Sequence, residues 1–156
     1  MGFNIAGLII NKNIGSEQEL ESLLNHKLEF VDEVSFEEAT RSDREEFTID
    51  VLQTDHGTLI VMEMGQIYDL AKFQDEVVQF IISDVSDTYY FEKYTDGKLV
   101  RKNINSQGYV AEDYGQGIVS DDEDLIDTVW EIADEYLQNN FTQNMVDMSF
   151  KRYEVL

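Results

Sequence analysis

The sequence contains no cysteine and no proline, and it is poor in positive charge: 11 Lys and Arg stand against 33 Asp and Glu in 156 residues, with two His besides. Without cysteine there is no disulfide framework, zinc finger, thiolate nucleophile or iron–sulfur ligation, so the chain must hold together by packing. Without proline, a Gly/Ser-rich stretch, an internal repeat or a low-complexity tract, nothing marks a linker, and residues 1–156 read as a single domain. No apolar run approaches the roughly 20 residues that a membrane-spanning helix needs. The stretch Phe3 to Ile10 lacks a basic flank, is interrupted by Asn4 and Gly7, and is followed by no small-residue cleavage pattern. It reads as a buried strand and not as a signal peptide, which makes a cytoplasmic location and no membrane association the expectation.

The shortage of cations leaves a formal net charge of −22. A field of that size repels nucleic acid and anionic membrane and attracts basic proteins and cations, so direct nucleic-acid binding is not expected. The acidity is not that of a disordered tail. With 42% apolar residues, and with nine Phe, eight Tyr and one Trp spread along the chain, there is enough to fill one sizeable core.

The pattern of elements predicts an α+β fold: an antiparallel or mixed sheet built from hairpins, with helices on one side. Ser16 and Glu19 have capping-box spacing and predict a short N-terminal helix from Glu17 that buries Leu20, Leu23 and Leu24. Phe30 to Phe36 is ambiguous in period, and the polar run Glu37 to Glu46 reads as an exposed connection. Phe47 to Leu52 and Leu59 to Met64 flank Asp55-His56-Gly57 as a hairpin in which Gly57 would take a positive φ. Asp96-Gly97 marks a second hairpin, and a two-residue loop there sets Tyr94 opposite Leu99, Glu92 opposite Arg101 and Tyr90 opposite Asn103. Asp69 to Glu76 is expected to hold a helical turn, Val77 to Ile82 a strand buried on both faces, and the stretch with Gly108, Gly115 and Gly117 irregular loop. Ser120 and Glu123 suggest a second capping box that opens a long amphipathic helix over about 120–138, with Leu125, Ile126, Val129, Trp130, Ile132, Ala133, Tyr136 and Leu137 on its apolar face. Met148 to Val155 alternates as a final strand.

No catalytic, cofactor-binding or metal-ligating motif stands out. Asp121, Asp122, Glu123 and Asp124 complement a helix dipole better than they match a calcium loop, which would alternate its acids and end in Glu. His56 reads as a turn residue and His26 as a helix C-terminal one. Gly115-Gln116-Gly117 lacks the third glycine and the lysine of a phosphate-binding loop. Lys93, Lys98, Arg101, Lys102, Lys151 and Arg152 fall in two segments that would form one basic island if the final strand lay beside the second hairpin. Otherwise they neutralise neighbouring acids.

What remains is the field and one helix face. Asp127, Glu131, Asp134 and Glu135 make an acidic stripe on the long helix, which is either a solvated face or the docking surface for a basic partner. The function expected on these grounds is that of a non-enzymatic acidic binding protein masking a basic surface, such as an immunity or inhibitor protein against a toxin or nuclease or other nucleic-acid-binding protein, or a nucleic-acid mimic. The alternative is an enzyme or small-ligand-binding domain whose carboxylates, such as Asp84, Asp87 and Asp113, are assembled from loops.

Overall fold

The computed structural model describes residues 2–65, 67–120 and 122–156. Asn4–Ile10 forms the first strand, β1, and every residue in it after Asn4 is buried. The other strands are β2 (Leu28–Ser35), β3 (Thr48–Gln53), β4 (Thr58–Met62), β5 (Val77–Ser83), β6 (Thr88–Thr95), β7 (Lys98–Ser106), β8 (Tyr109–Tyr114) and β9 (Ser149–Val155). Among the described residues four helices accompany them, α1 (Glu17–Leu24), α2 (Phe36–Ala39), α3 (Leu125–Leu137) and α4 (Phe141–Asn144), with 3-10 turns at Leu70–Lys72 and Met145–Asp147. The result is α+β: one nine-stranded sheet in the order β2-β9-β3-β4-β1-β5-β6-β7-β8, with every neighbouring pair antiparallel.

A strand that is apolar on both faces needs cover on both. Ile5 and Ile9 of β1 face one way, with Leu59, Val61, Val78, Phe80 and Ile82, and are roofed by α2, α3 and α4 through Phe36, Val129, Trp130, Ala133, Leu137 and Phe141. Ala6, Leu8 and Ile10 face the other way and are covered by Leu20 and Leu24 of α1 and by Tyr68, Leu70 and Phe73. The helices therefore do not lie on one side as the element order suggested. The doubly apolar strands β1, β4 and β5 require two covers, and α1 takes the second. Gly7 is part of this packing, because a side chain there would collide with the Phe80 ring and the Ile60 carbonyl.

Several local expectations are corrected. Gly57 is not at positive φ; a Cβ added there would stand 2.5 Å from the Tyr136 carbonyl oxygen, so close approach between the β3–β4 loop and α3 explains the glycine. Phe47 lies before β3, at φ 58°, with its side chain exposed. In the second hairpin Tyr94 faces Leu99, but a bulge at Val100 then shifts the ladder by one residue, so Glu92 faces Lys102, Lys93 faces Arg101 and Phe91 faces Asn103. The glycine-rich stretch after Ser106 is a further hairpin: Gln107 and Gly108 both take positive φ, 51° and 82°, and join β7 to β8. The connection Glu37 to Glu46 begins with α2, where Ser35 and Glu38 form the reciprocal capping box.

The last long helix is shorter than its pattern. It starts at Leu125 with Asp124 as N-cap and no side-chain cap bond, and Ser120 Oγ accepts from the Asp122 amide in a turn. The segment before it crosses the sheet from the end of β8, pinned by Arg101 Nε donating to the Gly117 carbonyl at 2.8 Å, and Val119 packs against the core beneath it. That crossing uses residues which the spacing alone assigns to helix. Asp121, the first of the acidic run, lies outside the described residues.

Candidate functional site

The acidic stripe divides once it is placed on α3. Asp127 and Glu131 are exposed on the side away from the sheet. Asp134 is half-buried, and its two oxygens are taken by the Thr142 amide at 2.8 Å and the Thr142 hydroxyl at 2.6 Å, which fastens the first turn of α4. Glu135 is exposed but, eight residues on from Asp127, is turned about 80° away from it around the helix axis. In its place Glu123 joins the face. A hydrogen bond to Glu131, partial burial and the charges of Glu131 and Asp127 raise its pKa above the ordinary carboxylate value. Glu123, Asp127 and Glu131 rim a shallow depression with the Trp130 edge and Met145 in its wall.

Beside that face lies a groove of about 460 Å³. Three regions distant in sequence build it. The β5–β6 turn supplies Asp84 and Asp87, strands β6 and β7 supply Tyr89, Asn103 and Asn105, and the segment leading into α3 supplies Val119, Ser120, Glu123, Asp124, Leu125 and Ile126, with Phe3 and Ile82 completing an apolar wall. No Lys, Arg or His lines it among the described residues. Glu123 belongs to both groove and helix face, so the two are continuous.

Asp84 is the organising residue of the groove. One oxygen accepts the Phe3 amide at 2.7 Å and the other the Tyr89 hydroxyl at 2.8 Å, which ties the start of β1 to β6. The hydrogen bond to Asp84, partial burial and the charges of Asp84, Asp87 and Asp124 push the Tyr89 phenol up to about 12, so it stays protonated and serves as a donor. Asp87 holds the turn in left-handed conformation at φ 50°, a region that Asp tolerates.

Asp113 is not part of this site. It lies on β8, where Arg101 Nη1 donates to it at 2.5 Å and Asn103 Nδ2 at 3.4 Å, and these bonds hold its pKa below the ordinary value. The basic residues likewise form no island. Four strands, β3, β4, β1 and β5, separate β9 from β6, and at about 4.8 Å per strand that places them on the order of 24 Å apart. Arg152 and Arg44 instead grip the fully buried carboxylate of Asp50 at 2.6–2.8 Å, and Arg101 is spent on Asp113 and on the carbonyls of Lys102, Tyr114 and Gly117. Three of the four arginines serve the fold, the lysines and Arg41 pair with only a few surface acids, and the rest of the acidic surface keeps its charge.

No group of three or more His, Asp or Glu among the described residues is arranged to hold a metal ion. Among the described residues no helix is long and apolar enough to cross a membrane. Comparison with known proteins finds no matching family model, no matching curated protein and no matching solved structure.

Proposed function

We propose that this chain is a non-enzymatic acidic binding protein that masks a basic protein surface, in the manner of an immunity or inhibitor protein. The observation that carries this is the groove: Asp84, Asp87, Glu123 and Asp124 converge on an apolar wall without a cation in the lining, and the surface runs on without a break to Asp127 and Glu131. A net charge of −22 raises the encounter rate with a basic partner, and the apolar wall slows its release. The chemistry of the groove supports binding over catalysis. Its phenol is held protonated and one of its carboxylates, Asp84, is already bonded to two donors. The test is to capture a partner from the native cell and follow association by stopped flow at rising ionic strength. A basic partner whose association slows steeply with salt is expected; if no salt-sensitive complex with a basic protein forms, the proposal fails.

A further inference from the structure

Resting on that masking role, we propose that the groove between the β5–β6 turn and the start of α3 seats an arginine side chain of the basic partner as the central anchor of the complex. The wall is amphipathic in the sense that a long cationic side chain requires. Phe3, Val119 and Ile126, each half-buried, offer apolar surface for a methylene stem, and carboxylates stand at the rim for its charged head.

The polar groups favour guanidinium over ammonium. Asn103 donates its amide nitrogen to Asp113 at 3.4 Å, which leaves its side-chain carbonyl oxygen as an acceptor, and Asn105 adds a second amide. Asp84 has used one lone pair on each oxygen and retains others in a fixed orientation, because the Phe3 amide and the Tyr89 hydroxyl hold it. A planar fork of five N–H donors can satisfy several such acceptors at once, whereas an ammonium offers a point charge and three donors. Charge complementarity is local as well as global, since the lining of the groove carries four carboxylates and no cation to compete with the incoming one.

The test uses the full chain and two probes, the tripeptide amides Gly-Arg-Gly and Gly-Lys-Gly, titrated into the ¹⁵N-labelled protein. Saturable shifts confined to the amides of 84–89, 103, 105 and 119–126 are expected with the arginine peptide, with the lysine peptide about fivefold weaker. The double variant Asp87→Asn, Asp124→Asn removes two rim charges while keeping a residue type that tolerates the left-handed turn and one that caps a helix. It should fold as the parent does and bind the arginine peptide roughly tenfold more weakly. Shifts centred on Asp127 and Glu131, shifts spread evenly over all the acids, or an equal response to the two peptides would overturn the anchor. The same double variant, tested against the captured partner, separates the two claims. A salt-sensitive complex undiminished in the variant removes the anchor and leaves the masking role standing. A groove that saturates with the arginine peptide in a protein that forms no salt-sensitive complex removes the masking role.

Discussion

Asp50 sits on β3 with no solvent exposure of its side chain, between Arg44 Nη2 at 2.6 Å and the Nε and Nη2 of Arg152 at 2.8 Å each. Arg44 also donates to the Ala39 and Thr48 carbonyls, so the cluster ties α2, the loop after it, β3 and β9 together. Removing one partner of a buried pair leaves the others charged and undersolvated, which costs far more than the pair contributes. Asp50→Ala should therefore lose about 3–5 kcal/mol of stability in denaturant unfolding. Asp50 stands in an otherwise regular strand alternation, and nothing in its neighbourhood in sequence marks it as buried; its partners come from six and 102 residues away. Trp130 is the apolar counterpart. Its ring meets Phe3, Phe36 and Phe80 edge-on at centroid distances of 6.1, 5.7 and 6.3 Å and lies tilted against Phe141 at 5.2 Å. Truncation to Ala should cost about 3–5 kcal/mol, and the native emission should be that of a buried indole; a solvent-exposed spectrum would contradict this packing.

At the scale of elements, β8 is exposed along its whole length and is held to β7 with help from Arg101–Asp113 and, at 3.3 Å, Lys102–Glu112. The folded pKa of Asp113 lies below its unfolded value, so the ionised form is favoured by folding. That contribution is complete above the unfolded pKa and disappears as pH falls through the lower folded one. The protection of the β8 amides, taken relative to their intrinsic exchange rates, should therefore fall as pH drops below the ordinary carboxylate range and before that of the rest of the sheet, and Asp113→Asn should abolish the difference. Elements were legible where a local rule sets them: Ser16 accepts from the Glu19 amide at 3.1 Å to start α1, and Asp96-Gly97 turns the second hairpin. They were illegible where a distant contact overrides the rule. The bulge at Val100 lets Arg101 reach Asp113 and Gly117, and the crossing segment delays α3 until Leu125. The groove was hidden for the same reason. Asp84 and Asp87 were visible as acids near a strand end, but Phe3, Asn103 and Val119 carry no local signal and meet them only through the sheet order.

Over the whole molecule, the excess of 22 negative charges lies outside a core that uses its arginines internally. Reversing Asp127 and Glu131 to Lys should slow association with a basic partner strongly at low salt and little at high salt, because rim charges act on encounter and are screened. The fold should be unchanged or slightly firmer, since the two acids repel each other and Glu123. Unchanged kinetics would make the helix face a solvated surface and leave the groove alone as the docking element. The sheet order also has a consequence for synthesis. Strand β9 is inserted between β2 and β3, so two early strands share a neighbour that is synthesised after every other strand described. Arg152 follows Asp50 by 102 residues, an interval on the order of 5–20 s of translation during which β2 and β3 have open edges and Asp50 has only Arg44. A ribosome-stalled chain lacking β9 should be cut by protease in β2 and β3 while the same segments resist in the released protein.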